Sequence, residues 1–123
     1  MRVLVVEPER RPELREIDGS LKSMQEIVGG LIQPIYLNDS VALVCNDEGK
    51  LMRLPANRGL RDKDGQIYDI VCGTFFLCGT PADCDHFDSL TPEQIAQYEE
   101  RFHTPEMFWG MDGRIVCLPL EVD

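Results

Sequence analysis

Cations are nearly missing from the second half of this chain: from residue 64 to the C-terminus only Arg101 and Arg114 stand against twelve Asp and Glu residues. Residues 1–63 carry ten acids and ten Lys and Arg, so the whole net charge of −10 falls on the second half. A field of that sign repels nucleic acid and anionic lipid and favours cationic partners. Direct nucleic-acid binding is not expected, because such proteins present a broad basic face. Long apolar runs are also missing. The longest, such as Val3–Val6 and Val41–Cys45, are strand-length, far from the roughly 20 residues that cross a bilayer. No charged-then-apolar leader precedes the opening strand-like segment, and a soluble, cytoplasmic protein is the expectation.

Catalytic signatures are missing as well. The chain has no G-x-S-x-G, H-E-x-x-H, Walker loop or G-x-G-x-x-G, so the patterns of hydrolases, metalloproteases and nucleotide-dependent enzymes find no match. The expectation is a protein that binds and does not catalyse, with no cofactor. Five cysteines, Cys45, Cys72, Cys78, Cys84 and Cys117, are odd in number and mostly sit in apolar runs, which points to reduced thiols and not to a disulfide framework. Cys78, Cys84, His86 and His103 are the residues from which a zinc site would have to be built. Their spacing matches no standard ligand pattern, so no metal is expected.

At 123 residues, 43% hydrophobic and 28% charged, the chain has the size and composition of one globular domain. Val3–Val6, a Pro-bearing turn and Leu14–Ile17 read as an N-terminal hairpin. Ser20 caps a helix over 20–28 that places Leu21, Met24, Ile27 and Val28 on one face, with Gly29-Gly30 as its exit. Residues 31–37 read as a strand in which Pro34 marks an edge or a bulge, because it cannot donate to a ladder. Val41–Cys45 reads as a buried strand, followed by a hairpin turn at Asn46–Gly49 and a return strand over Lys50–Leu54. Residues 55–66 read as a loop, and 67–72 and 74–78 as strands around Gly73, a segment central to the sheet. Thr91, Pro92 and Gln94 form a capping box for a second helix, stapled by Leu90 and Ile95 and stopped by Pro105. Asp112-Gly113 turns a closing hairpin. The fold class is α+β: an antiparallel or mixed sheet with two short helices packed on it, in a single domain spanning 1–123.

Two groups of residues suggest binding chemistry. Lys50, Arg53, Arg58, Arg61 and Lys63, opposed only by Asp62, form a basic island. With Asn57 as an amide donor and acceptor, Asn57, Arg58, Arg61, Lys50 and Arg53 are candidates to hold a small anionic ligand, a metabolite or nucleotide. The plainer reading is that these cations neutralise the protein's own surplus carboxylates. The second group is acidic. Asp83, Asp85, Asp88, Glu93, Glu99 and Glu100 would imitate nucleic-acid phosphates toward a basic protein if they share a face; as a plain alternative they form a solvated surface. Phe108-Trp109 reads as core more readily than as interface. A homodimer through that patch or through the Pro34 edge strand is the expected assembly.

The order of several segments resembles a family catalogued as domain of unknown function 3846, small proteins of phages, conjugative elements and related genomes. The carrying residues are Val3-Leu4-Val5-Val6-Glu7-Pro8, Ile17-Asp18-Gly19-Ser20-Leu21, Met24–Gly30, Asn46-Asp47-Glu48-Gly49-Lys50-Leu51, Leu54-Pro55-Ala56-Asn57-Arg58 and Asp69–Phe75. The resemblance implies accessory cargo of a mobile element and brings no activity with it. Within it, residues 88–123 look like a helix-hairpin extension present in part of the family. Together these readings give an accessory protein that counters a host system by binding a basic host protein through its acidic half, or alternatively sequesters an anionic ligand at the 50–63 segment.

Overall fold

The computed structural model of the chain describes residues 1–37, 40–82 and 86–120. Their elements are β1 (Arg2–Val6), β2 (Glu13–Glu16), α1 (Leu21–Val28), β3 (Ile32–Leu37), β4 (Val41–Asn46), β5 (Ala56–Arg61), β6 (Ile67–Cys72), β7 (Phe75–Gly79), α2 (Pro92–Arg101), β8 (Glu106–Met111) and β9 (Arg114–Pro119). Five strands form one sheet in the order β2-β1-β7-β4-β3, every neighbouring pair antiparallel. The fold is α+β, built on an antiparallel sheet. β5–β6 and β8–β9 are separate two-stranded hairpins.

The unbroken apolar runs have a simple cause. Successive side chains of a strand point to opposite faces, and here both faces of the sheet are covered. Val3, Val5, Ala42, Val44, Phe76 and Cys78 face one way and pack with Met24 and Val28 of α1. Leu4, Val6, Leu43, Phe75 and Leu77 face the other way and pack with Leu60 and Val71 of the β5–β6 hairpin and with Tyr98 and Phe102 at α2. The Phe102 ring meets Phe75 edge-on at 5.4 Å, a geometry favoured by the ring quadrupoles.

Local signals hold where the sequence spelled them out. Ser20 Oγ accepts from the Ser23 N–H, and Gly29 exits α1 in the left-handed region at φ 78°. Thr91 and Gln94 form the reciprocal capping box of α2. The Asp112-Gly113 turn has φ of 49° and 77°, the positive pair that a two-residue hairpin turn needs. β3 is the edge strand, with Pro34 opposite Val44.

Three expectations fail. Lys50–Leu54 does not return as a strand; Met52 N–H bonds to Glu48 O at 2.8 Å and Leu54 N–H to Gly49 O at 3.0 Å, coiling the segment into turns. β4 already lies between β3 and β7, so a returning strand would find neither edge free. Residues 55–66 are not a loop, because β5 occupies 56–61 and pairs with β6. Of the polar residues that suggested a loop, Asn57 and Arg58 are inside the protein, while Arg61, Asp62, Lys63, Asp64 and Gln66 are exposed. Phe108-Trp109 is also not core: Trp109 is half-exposed on the β8–β9 hairpin. No helix among the described residues is long and apolar enough to cross a membrane.

Candidate functional site

The basic island of the sequence is dispersed by the fold. Asn57 and Arg58 lie on β5 and are 0% and 1% exposed. Asn57 Nδ2 donates to Val6 O and Gly73 O, both at 2.9 Å, tying β5 to β1 and to the β6–β7 turn. A guanidinium has five N–H donors, and every one of Arg58's is used. Nε donates to Phe102 O at 3.2 Å. Nη1 donates to Asn57 O at 3.3 Å and Asn57 Oδ1 at 2.8 Å. Nη2 donates to Arg10 O at 2.6 Å and Phe102 O at 3.0 Å. Burial pulls the Arg58 pKa down to about 10, so it stays charged at neutral pH, solvated by carbonyls. Neither residue is open to a ligand, which corrects the expectation that they hold one.

The other three candidates are scattered. Lys50 Nζ donates to Asp69 Oδ1 at 2.6 Å. Arg53 is exposed in a turn, with φ 56°. Arg61 makes a two-pronged contact with Glu106 of β8, Nη1 to Oε1 at 3.1 Å and Nη2 to Oε2 at 2.6 Å. Glu106 Oε1 also accepts from the Gly59 N–H at 3.0 Å, and Cys117 Sγ donates to its Oε2. Burial pushes the Glu106 pKa up, but Arg61, Cys117 and the Gly59 amide outweigh it and leave the carboxyl below its ordinary value. Burial and the Glu106 contact push the Cys117 thiol up to about 11. Burial also raises Cys45 and Cys72, and Cys78 to about 12, so these four are protonated at neutral pH. They are free cysteines. No group of three metal-ligating residues occurs among the described residues, and Cys84 lies outside them.

What the fold assembles instead is a cleft of about 620 Å³ between β3, the β5–β6 turn and the C-terminal end of α2. Tyr36, Arg61, Lys63, Tyr68, Arg101 and Phe102 line it. Sequence reasoning noticed Lys63 as part of the island and Arg101 only as a rare C-terminal cation; nothing local connects either to Tyr36. A second concavity of about 770 Å³ lies between β6 and the β8–β9 hairpin and is walled by Ile67, Ile70, Phe108, Trp109 and Ile115.

Of the acidic group, Asp83 and Asp85 lie outside the described residues. Asp88 is exposed and pairs by its backbone with Gly79 of β7, N–H to O at 2.9 Å and O to N–H at 2.7 Å. Glu93, Glu99 and Glu100 are exposed on α2. Glu93 and Glu100 are seven residues apart, close to two helical turns, so they share a face, and Glu99 sits about 100° round from Glu100.

The family model described as Domain of unknown function (DUF3846) matches residues 1–103. The chain belongs to that family. The DUF3846 portion contains the five-stranded sheet, both helices and both ends of the Arg58–Phe102 link. Its match extends through α2 and stops before β8, so Arg61–Glu106 joins the DUF3846 residues to the hairpin that follows them. No curated protein and no solved structure matches the chain.

Proposed function

We propose that the protein is a non-enzymatic accessory binding protein, carried by a mobile genetic element, that presents the acidic face of α2 to a basic surface of a host protein. The observation that carries this reading is the clustering of uncompensated carboxylates on one short helix, since other acids without an ion pair among the described residues, such as Glu9, Glu26, Asp47 and Asp64, are scattered over turns and α1. Glu7 and Glu13 are paired with Arg15, Glu16 with Arg2, Asp69 with Lys50 and Glu106 with Arg61. Asp88, Glu93, Glu99 and Glu100 have no ion pair among the described residues. Negative charge held on a rigid, capped helix steers a cationic partner at long range and sets its register at contact.

The test compares the wild-type chain with a Glu93→Gln/Glu99→Gln/Glu100→Gln variant. All three side chains are exposed, so the variant is expected to keep the wild-type fold and melting temperature. At low salt the wild type should retain a basic host protein that the variant does not, and retention should fall as ionic strength rises, because the Debye length shrinks to about 10 Å at 0.1 M. Retention that survives neutralisation of α2, or no retention at low salt, rejects the reading.

A further inference from the structure

The cleft between β3, the β5–β6 turn and α2 has no part in binding a basic protein, since its charge has the opposite sign. We propose that it binds a mononucleotide, the phosphate held by Lys63 and Arg101 and the base laid against the tyrosines of the rim. Its cavity of about 620 Å³ falls inside the span of small-molecule sites, roughly 300–1,000 Å³. In a chain of net charge −10, three cations converge there against Asp62 alone. Arg61 is already held by Glu106. Lys63 and Arg101 have no carboxylate partner among the described residues.

Arg101 is also pre-positioned. Its guanidinium carbon lies 5.3 Å from the Phe102 ring centre and 5.8 Å from that of Tyr98, so aromatic faces fix the group. Its N–H edges make no hydrogen bond within the described residues, which leaves them for the two-pronged contact that phosphate accepts. Tyr36 and Tyr68 are 68% and 59% exposed, large aromatic surfaces that a stacked base would cover. Cations plus open aromatics select a ligand that is anionic at one end and flat at the other. A polymer fits less well than a single nucleotide, because each further phosphate would leave the cleft for the field of a strongly acidic protein.

The experiment titrates the full-length chain with AMP, CMP, GMP and UMP, and separately with inorganic phosphate and with adenosine, following backbone amide resonances. A nucleotide should bind more tightly than phosphate or adenosine alone and move the signals of Gly59, Lys63, Tyr68 and Phe102. A Lys63→Ala/Arg101→Ala variant should bind it about a hundredfold more weakly, about tenfold for each cation removed from the phosphate, with an unchanged melting temperature. Arg101→Lys should fall between the two, and Tyr68→Leu should weaken nucleotide but not phosphate. The Glu93→Gln/Glu99→Gln/Glu100→Gln chain should bind nucleotide at least as well, which separates this site from the acidic one. Absence of shifts at millimolar nucleotide, equal affinity in the double variant, phosphate binding as tight as nucleotide, or tighter binding of a single-stranded oligonucleotide would each overturn the proposal.

Discussion

Replacing Arg58 by alanine asks whether the most buried cation in the protein serves the fold or a ligand. The substitution takes away every N–H that Phe102 O receives from the guanidinium, and it leaves Asn57 Oδ1 without its donor. Both acceptors are buried, and each unpaired buried group costs about 1–3 kcal/mol. Arg10 O is only partly buried and can turn to water, so it adds little. Loss of the aliphatic stem beside the packed sheet leaves a cavity as well. The expected total is about 3–8 kcal/mol, a large share of the roughly 5–15 kcal/mol that holds a domain together. Urea denaturation followed by far-UV circular dichroism measures it. Arg58→Met restores most of the volume and none of the hydrogen bonds, so it should recover only the cavity part, about 1–2 kcal/mol. A loss of less than about 1 kcal/mol in Arg58→Ala would refute a structural role for the guanidinium. So would a variant as stable as wild type that has lost affinity for an anion.

Two further outcomes follow from the C-terminal hairpin. Glu106 has a folded pKa below its ordinary 4.5, so its carboxylate contributes stability that is complete above that value and is lost as pH falls through the lower, folded one. Below pH 4.5 the β8–β9 amides should therefore exchange with solvent faster in wild type, once the intrinsic pH dependence of exchange is divided out. Glu106→Gln should show that faster exchange already at neutral pH and lose the pH step; an unchanged step in Glu106→Gln refutes the assignment. Trp109, half-exposed, should cost well under the roughly 3–5 kcal/mol of a core aromatic when replaced by alanine. If its face joins two copies of the chain, sedimentation should show a dimer that strengthens at high salt, as screening relieves the repulsion between two acidic surfaces, and that Trp109→Ala dissolves. A monomer at low and high salt rejects that assembly.

The features legible in the sequence are those whose partners are neighbours along the chain. Ser20 and Thr91 cap helices by bonding N–H groups three residues on; Gly29 and the Asp112-Gly113 turn supply backbone conformations that few other residues adopt. The runs at Val3–Val6, Val41–Cys45 and Phe75–Cys78 announced buried strands because both of their faces are apolar, and the same sequence carried the family resemblance that the match over residues 1–103 supports. Asn57-Arg58 gave the opposite impression. Next to Pro55 and Gly59, an amide and a guanidinium look like an exposed loop, and they are interior only because Val6, Arg10, Gly73 and Phe102 bring carbonyls to them across separations of 51, 48, 16 and 44 residues. The cleft has the same origin. Tyr36, Lys63, Tyr68 and Arg101 come from an edge strand, a hairpin and a helix end, and no spacing rule links them. Local hydrogen bonds and side-chain periodicity are written into short stretches of sequence, whereas the burial of a charge and the convergence of distant cations depend on how the sheet, hairpin and α2 stack, which only the tertiary structure decides.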